Sequence, residues 1–507
     1  MCQVEEDYRG QLQRPQLTSV SKKCSKCSES SAVVVIRAGD PFCRSCFKEY
    51  FIHKFRAMLG KNRVIFPGEQ VLLAVSGGPS SSSMLHQVQE GLSQNAHKRL
   101  RFRPGIVYID EGGAVGRSVE QRQRTVAQMV DIFKASGFLY HIVPLEQVLH
   151  LPTSVLLMEP ISPVPPASAY KAAVDQYLQT DSSSYLQPVG QEKVQAVPII
   201  QDSHTTSLQQ LMASAVTLTA REELLNTLRQ HLLVHTARTR GYSKVMLGDS
   251  CSRLAVKLLS SVCMGRGAQL ADLTGFSDSR FGDITFVRPM RDYSAKEISY
   301  YNHLFKVLSV FVPGLDTKAA DKASIQRLTE NFLMNLQLDF PSTVSTIYRT
   351  SEKLQTDRES RCSAADKCLL CLAALDTSVE DASAFQATLI SEQLSQTRSP
   401  TLEKTANPTK SPAAGLPEST ASSQQCCSPT GDDCGRTSDQ SCSSSGILGA
   451  DRSQLKKLLC YSCQLTLKDV SSVELLPPYM LSEAKRRQNR SEMRAQISDF
   501  LLDGADG

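Results

Sequence analysis

The chain has 507 residues, an apolar fraction of 41% and a formal net charge of +5 at pH 7. This length predicts two or three domains with at least one sizeable core, and the small excess of Lys and Arg is compatible with a nucleic-acid partner without identifying one. The N-terminus lacks the basic-then-apolar order of a signal peptide, and no apolar run approaches the roughly 18 to 20 residues of a membrane-spanning helix. We therefore expect a cytoplasmic protein without a membrane partner, whose 16 cysteines are metal ligands or thiols rather than disulfides.

Residues 1–60 contain two Cys-x-x-Cys pairs and a basic segment. Cys24 and Cys27 are separated from Cys43 and Cys46 by residues 28–42, which include the strand-like run VVVIRAG. Two thiolates of such a pair can reach one ion, and a second pair completes the tetrahedron that structural zinc prefers. The pattern predicts an N-terminal zinc ribbon; the alternative is four unrelated buried thiols.

Residues 61–345 alternate short apolar runs with helical spacing. Helices are predicted at 119–137 and from a capping box at Thr219 through Arg238. The predicted strands are VLLAV (71–75), GIVYIDEG (105–112), FLYHIVPL (138–145) and KVML (244–247). Strands that alternate with helices indicate βαβ units, so we expect an α/β domain with a parallel sheet.

Two stretches differ in composition from this pattern. Residues 152–215 are rich in Pro, Ser and Gln, and we interpret them as a surface insertion in the α/β domain. Residues 391–446 have too little apolar surface to offset their ordering entropy, which predicts a disordered linker inside a module at 346–475. A basic amphipathic helix and tail are predicted at 476–507.

The 346–475 module carries two more cysteine pairs, on either side of the linker. They are Cys368 with Cys371 and Cys460 with Cys463. Loop closure grows costlier only slowly with loop length, so the pairs can close a second zinc site. The spacing alone leaves this open, and the competing ligands are Cys426, Cys427, Cys434 and Cys442.

The first predicted strand runs into SGGPSSSS (76–83), a loop suited to anions. Its glycines let backbone N–H groups approach an anion at a helix N-terminus. Ligands of open α/β sheets bind beyond the carboxyl ends of strands, where the loops after 105–112 and 244–247 meet this one. The candidate nucleotide-binding residues are Ser76, Gly77, Gly78, Ser80, Ser81, Asp110, Gly248 and Asp249.

The order of these motifs resembles the PP-loop ATP pyrophosphatase family, in its tRNA-thiolating branch. The segments that carry the resemblance are HKFRAMLGKNR (53–63), SGGPSSSS (76–83), IDEG (109–112), YSKVMLGDS (242–250), VRPMRD (287–292) and FPSTVSTIYRTSEKL (340–354), with the terminal cysteine pairs. It covers most of the chain outside 152–215 and 391–446. It implies a Rossmann-like sheet of the adenine nucleotide alpha hydrolase type.

The chain departs from the family's catalytic pattern at its acids. Catalytic members carry S-G-G-x-D-S, and the aspartate position here is Ser80; where they carry G-H-N-x-D-D, this chain reads GDSCSR (248–253). Carboxylate-held Mg²⁺ offsets the charge of ATP cleavage, so we expect no catalytic residue in this chain. Binding of ATP or phosphate by the retained loop is left open. The family's cluster-holding cysteines have no counterpart in the α/β part, so no iron–sulfur cluster is expected.

Two stretches mix cations with aromatic residues, which suits phosphate contact and base stacking. They are HKFR (53–56) and HKRLRFR (97–103). A solvated face is the simpler interpretation of the residues, and the resemblance adds RNA contact. The candidate RNA-binding residues are Lys54, Arg56, Lys61, Arg63, Lys98, Arg99 and Arg101.

The resemblance implies a function in 2-thiolation of the wobble uridine (mcm5s2U) of cytoplasmic tRNAs. A catalytic PP-loop thiolase would adenylate the uridine, and a thiocarboxylated ubiquitin-like carrier would supply the sulfur. This chain would be the non-catalytic half of a heterodimer, stabilising the catalytic tRNA 2-thiolation subunit and holding tRNA. Two alternatives stay open: a self-sufficient ATP-dependent tRNA sulfurtransferase, and a zinc-ribbon adaptor unrelated to tRNA.

Overall fold

The computed structural model describes residues 23–36, 39–93, 99–157, 167–179, 200–351, 353–354, 367–375 and 452–497. These residues belong to one contact unit, Met1–Ala382 with Ala450–Gly507. The predicted linker at 391–446, Lys98, Cys426, Cys427, Cys434 and Cys442 lie outside the described residues. No helix in the described ranges is both long and apolar enough to cross a membrane.

The N-terminal region is a small antiparallel hairpin followed by a long helix. Strands β1 (Val34–Ile36) and β2 (Asp40–Phe42) pair with Val34 opposite Phe42. Helix α1 (Arg44–Asn62) follows at once and buries Phe47, Phe51 and Phe55 against the central sheet. The hairpin therefore holds the residues before β1 close to the first turn of α1.

The central sheet has six strands in the order β5-β4-β3-β6-β8-β7. They are β3 (Gln70–Ala74), β4 (Arg103–Asp110), β5 (Leu139–Pro144), β6 (Lys244–Leu247), β7 (Ser277–Phe281) and β8 (Ile284–Val287). The first five in this order are parallel, and β7 is antiparallel to β8. The predicted α/β class is confirmed, and all four predicted strands are present.

Successive side chains of each strand point to opposite faces of the sheet, and each face is covered by helices. Val71 and Leu73 of β3 pack with α1, α2 (Pro79–Leu92), α3 (Val119–Ser136) and α9. Leu72 packs on the other face with α5, α6 and the C-terminal helices. The remaining helices are α4 (Ala167–Gln179), α5 (Asp202–Ser214), α6 (Leu218–Thr239), α7 (Cys251–Cys263), α8 (Leu270–Thr274), α9 (Ala295–Phe305), α10 (Ile325–Asp339), α11 (Thr343–Ser351), α12 (Arg452–Lys456), α13 (Tyr461–Lys468) and α14 (Pro478–Ile497).

The helix starts show where local signals succeed and fail. The predicted helix at 119–137 is α3, with a capping box at Ser118 and Gly137 in the left-handed conformation at its end. The capping box predicted at Thr219 is wrong, because Thr217 is the N-cap of α6 and accepts from the Ala220 N–H. The hydroxyl of Thr219 accepts instead from the N–H of Ile325, at 3.1 Å.

The Pro- and Gln-rich segment at 152–215 contains a helix that packs into the core. Leu208 and Leu211 of α5 are fully buried, and Met212 is nearly so. Their spacing in SLQQLMAS is helical, but the polar composition around them conceals it. The domain boundaries at 60, 345 and 475 stay predictions.

Candidate functional site

The N-terminal cysteines come together as a four-thiol cluster, the ribbon quartet, which consists of Cys24, Cys27, Cys43 and Cys46. Their sulfur atoms all lie within 4.8 Å of one another, and the Cys27 and Cys43 Sγ atoms are 3.9 Å apart. The β1–β2 hairpin brings the first pair to the start of α1, where Cys43 is the N-cap. Backbone N–H groups of Ser30 and Glu29 lower the pKa of the Cys27 thiol below its usual value, which favours the thiolate that binds metal.

The C-terminal cysteines form a second cluster, the core quartet, which consists of Cys368, Cys371, Cys460 and Cys463. All four are buried, their sulfur atoms lie within 4.8 Å of one another, and the Cys371 and Cys460 Sγ atoms are 3.6 Å apart across 89 residues of sequence. Hydrogen bonds with the other three thiols lower the pKa of Cys460 well below its usual value.

Two features around the core quartet support negatively charged thiolates. The buried guanidinium of Arg280 donates to the Cys371 carbonyl at 3.4 Å. The Arg266 side chain is 8% exposed and pairs with Glu223 at 2.6 Å. Burial lowers its pKa, but Glu223 and the quartet cysteines raise it by more. The quartet belongs to the same hydrophobic cluster as α6 and the sheet, so it is an internal part of the α/β core.

Both quartets have the geometry of a site for one tetrahedral ion. Zinc–thiolate bonds of about 2.3 Å place the sulfur atoms of a tetrahedron about 3.8 Å apart. The Cys27–Cys43 and Cys371–Cys460 separations are 3.9 and 3.6 Å, and every other pair within a quartet lies within 4.8 Å. Two four-cysteine clusters that can hold a metal are therefore present.

The SGG loop connects β3 to α2 at the point where the sheet reverses its winding, between β3 and β6. Gly78 is the N-cap of α2, and Pro79 opens the helix. The Ser76 and Ser81 hydroxyls are 3.3 Å apart. The loop thus lies where open α/β sheets bind their ligands, with first-turn N–H groups that lack intrahelical partners.

The loop after β6 packs directly on this helix start. Ser80 donates a hydrogen bond to the Gly248 carbonyl. A Cβ on Gly248 would lie only 2.8 Å from Cα and 2.9 Å from N of Ser81, so only glycine allows this approach. Among the sequence-predicted residues, the structure therefore brings together Ser76, Gly77, Gly78, Ser80, Ser81 and Gly248.

Asp110 is close in space to this edge but is already bonded inside the protein. It is 4% exposed, and its carboxylate accepts from Arg122 Nε at 2.7 Å and from the Gly112 N–H at 3.0 Å. Arg122 also donates to both oxygens of Glu146, at 2.6 and 3.0 Å. Neither Arg122 nor Glu146 was a sequence-predicted site residue, because nothing local marks an arginine within α3 as buried.

Asp249 is surrounded by cations. Its carboxylate lies 3.4 Å from Nε of the fully buried Arg288. Burial opposes its ionisation, but Lys257 and Arg288 outweigh that effect and lower the pKa of Asp249 below its ordinary value. Burial and the charge of Arg288 lower the pKa of Lys257 to about 8. At this edge of the sheet, Arg288 and Lys257 therefore balance the charge of Asp249, where a catalytic site would use a metal ion.

Helix α9 and the segment after it cover the other side of the SGG loop. The Val310 N–H donates to the Gly77 carbonyl at 2.8 Å, and the Asn302 side chain donates to the Pro79 carbonyl at 2.9 Å. Gly77 has φ +86°. The loop geometry is thus fixed by contacts with three different parts of the chain.

Most of the described RNA-binding candidates lie at the opposite ends of the strands from this loop, and several have partners inside the protein. Lys54 is half-buried and donates to Glu297 at 2.9 Å and to Tyr50 at 3.0 Å. Arg63 lies 5.9 Å from the ring of Tyr170. Arg99 donates to the Leu92 carbonyl. The residues 61, 63, 99 and 101 flank the amino ends of β3 and β4, whereas the SGG loop follows the carboxyl end of β3.

The two isolated thiols of the α/β part differ in exposure. Cys251 is buried, and burial raises its pKa to about 11. Cys263 is exposed at the end of α7. A thiol with a raised pKa is a poor nucleophile, so the structure gives Cys251 the character of an ordinary core residue.

Comparisons with known proteins found a similar solved structure and a matching family model. A solved structure, the U34-tRNA thiolase NcsA of Methanococcus maripaludis with its iron–sulfur cluster, matches 70% of this chain and 93% of its own, at 16% identity and a TM-score of 0.46. The family model for cytoplasmic tRNA 2-thiolation protein 2 matches residues 324–465.

Two curated relatives match almost the whole chain. The Danio rerio protein is 56% identical over 522 residues, covering 99% of each chain, and the Homo sapiens protein is 47% identical over 530 residues, covering 100% of this chain and 99% of its own. Both are named cytoplasmic tRNA 2-thiolation protein 2, which agrees with the cytoplasmic location and the tRNA-thiolation resemblance predicted from the sequence. This chain therefore belongs to the cytoplasmic tRNA 2-thiolation protein 2 family.

Proposed function

We propose that this chain acts in 2-thiolation of the wobble uridine of cytoplasmic tRNAs as the non-catalytic half of a heterodimer. Its partner is the catalytic tRNA 2-thiolation subunit 1, which adenylates the uridine and receives sulfur from a thiocarboxylated ubiquitin-like carrier. This chain stabilises that subunit and holds the tRNA. The names of its relatives support the pathway.

One observation carries the non-catalytic role. The SGG loop has the backbone geometry of an anion-binding loop, while basic side chains lie around Asp249. The Ser80 hydroxyl donates a hydrogen bond to the Gly248 carbonyl, and Arg288 and Lys257 lower the pKa of Asp249. A Mg²⁺ ion beside an ATP phosphate needs free carboxylate oxygens. The positive charges at Asp249 oppose such an ion.

The same proposal assigns one structural zinc ion to each cysteine quartet. The sulfur separations of 3.9 and 3.6 Å fit four bonds to one ion. An iron–sulfur cluster distributes its cysteine ligands over several iron atoms, which needs wider spacing than these thiols have. The zinc ions would hold the ribbon and the C-terminal module in place without taking part in sulfur transfer.

The test is AMP release from ATP with Mg²⁺ and tRNA, measured for this chain alone, for the catalytic subunit alone and for the pair. We expect no turnover by this chain and full turnover only in the pair. Ser76→Ala in this chain should leave the turnover of the pair unchanged, because the loop serves no reaction step.

Two results contradict the proposal. Turnover by the isolated chain that Ser76→Ala abolishes would establish a self-sufficient ATP-dependent tRNA sulfurtransferase. A chain that binds no tRNA at physiological salt and does not raise the turnover of the catalytic subunit would be a zinc-ribbon adaptor unrelated to tRNA.

A further inference from the structure

Helix α9 presents a stripe of cationic and aromatic residues to solvent. Lys296, Ser299, Tyr300 and His303 are exposed, and their spacing of three and four residues places them on one face of the helix. Lys306 follows at the helix end and is also exposed. The stripe extends over about 15 Å, at 1.5 Å per residue.

Helix α9 adds no negative charge to the stripe, and at the ribbon end Glu90 pairs with Lys48 at 3.3 Å. The only acid between residues 295 and 311 is Glu297, and it points inward. Its carboxylate is 5% exposed and binds Lys54 at 2.9 Å and Tyr50 at 2.7 Å. The outer face of α9 therefore presents net positive charge.

A hollow of about 460 Å³ continues the stripe toward the ribbon quartet. Its lining includes Cys43, Arg44, Lys48 and Phe305. The guanidinium of Arg44 lies 5.5 Å from the ring of Phe305 and donates to the Leu304 carbonyl at 2.8 Å. These contacts hold Arg44 against the end of α9, where it stays exposed.

Exposed aromatic rings lie on α9 and in the segment that follows it. Tyr300 is 36% exposed, with the Lys296 ammonium 5.9 Å from its ring, and Phe311 is 78% exposed. Base stacking on such rings and phosphate contacts with neighbouring cations are the two terms of single-stranded nucleic-acid binding. The combination suits an RNA loop with unstacked bases better than a protein, because a protein-docking core is depleted in charge.

We propose that the ribbon–α9 surface, formed by Arg44, Lys48, Lys296, Tyr300, His303 and Lys306, binds a single-stranded loop of tRNA. Arg44, Lys296 and Lys306 contact phosphates, and Tyr300 stacks on a base. This inference rests on the proposed function and locates its RNA contact. It also moves that contact from the cations in the later turns of α1 and before β4 to the first turns of α1 and to α9.

The chain supplies its own matched control. Lys61, Arg63 and Arg101 are also three cations and lie near the amino ends of β3 and β4. The surface variant is Arg44→Gln/Lys296→Gln/Lys306→Gln, and the control variant is Lys61→Gln/Arg63→Gln/Arg101→Gln. Both change the net charge by the same amount, and each includes one helix-end residue with positive φ, Lys306 or Arg63.

The experiment measures tRNA affinity of the full-length chain, alone and with the catalytic subunit, across a series of salt concentrations. The surface variant should lose roughly tenfold or more in affinity, with the slope of log K against log salt reduced by about two to three, since each lost phosphate contact removes about 0.7 to 0.9. Tyr300→Ala should cost roughly fivefold or more without changing the slope. The control variant should bind as the unmodified chain does. Circular dichroism and zinc content check that every variant is folded.

Three other results overturn the inference, and they are distinguishable. If the control variant loses affinity and the surface variant does not, RNA binds at the amino edge and the proposed function stands. If the surface variant separates from the catalytic subunit but the isolated variant still binds tRNA, the surface docks protein. If the unmodified chain and the pair bind no tRNA, the proposed function fails together with its RNA surface.

Discussion

Gly77 and Gly78 are adjacent in the SGG loop but differ in what their positions tolerate. Gly77 has φ +86°, and a Cβ there would lie 2.9 Å from Met129 Sδ and 3.2 Å from the Val310 carbonyl oxygen. Gly78 has φ −67°, and the nearest atom to its Cβ is 3.8 Å away. Gly77→Ala should lower the free energy of unfolding by about 1 to 3 kcal/mol. Gly78→Ala should lower it by less than about 1 kcal/mol, because the position is unstrained and loses only the N-cap preference for glycine over alanine.

Urea unfolding of the two variants tests this difference. Because the substitutions are chemically identical and adjacent, each serves as the control for the other. Equal losses of stability in the two variants would show that the close approach of Met129 and Val310 to Gly77 does not restrict that position.

The Lys54–Glu297 pair predicts a pH-dependent stability. Burial raises the pKa of Glu297, but Lys54 and the Ser294 backbone lower it by more, so it lies below the ordinary value of 4.5. The unfolded state then binds more protons than the folded state near that pH, so the stabilisation is fully present above pH 4.5 and is lost as pH falls through the folded pKa.

Glu297→Gln should therefore lower the free energy of unfolding by about 3 kcal/mol at pH 7, because it leaves the Lys54 ammonium without its carboxylate. The difference from the unmodified chain should shrink toward pH 3. Glu49→Gln is the control, since Glu49 pairs with Lys26 on the surface, where the two side chains are 68% and 51% exposed, and such pairs contribute little. A Glu297→Gln effect that is the same at both pH values would contradict the pairing.

The two cysteine quartets belong to different structural elements, and their loss should differ accordingly. The ribbon quartet forms a small cluster with Phe42, whereas the core quartet packs with α6, α13 and α14 in a large cluster that reaches the sheet. Cys460→Ser should lower the melting temperature of the main unfolding transition. Cys24→Ser should leave that transition in place and loosen only the ribbon, because most of the core does not contact it.

Calorimetry and metal analysis check this prediction together. The unmodified chain should contain two zinc ions per molecule, and each variant should lose one, since a tetrahedral thiolate site needs all four ligands. If Cys24→Ser destabilised the main transition as much as Cys460→Ser, the ribbon would be part of the same cooperative unit.

At the scale of the whole molecule, local signals predicted more of the fold than of the site. KVML matches β6 residue for residue because a short apolar run lies between polar residues and a glycine turn. The two quartets were predictable because Cys-x-x-Cys pairs carry their chemistry in their spacing. The helix α5 escaped prediction, since its polar neighbours hide the spacing of Leu208 and Leu211.

The contacts that neutralise the candidate site join distant parts of the chain. Lys54 and Glu297 are 243 positions apart, and Arg122 and Glu146 meet only because β4, α3 and β5 fold side by side. A cation's neighbours in sequence say nothing about such partners. For this reason the sequence predicts Asp110 and Lys54 as ligand-binding residues, whereas in the structure they bind Arg122 and Glu297.

The burial of α6 has a consequence for how the chain is made. Leu228 and Leu232 of this helix belong to the same buried cluster as Leu467 of α13 and Met480 of α14. During synthesis α6 leaves the ribosome long before those helices do, so its apolar face stays exposed until they are made. A nascent chain, or one that ends before α13, therefore exposes an apolar surface of the kind that chaperones and quality-control proteases recognise. Premature stop codons between α6 and α13 should thus lower the amount of the protein rather than leave a stable shortened form.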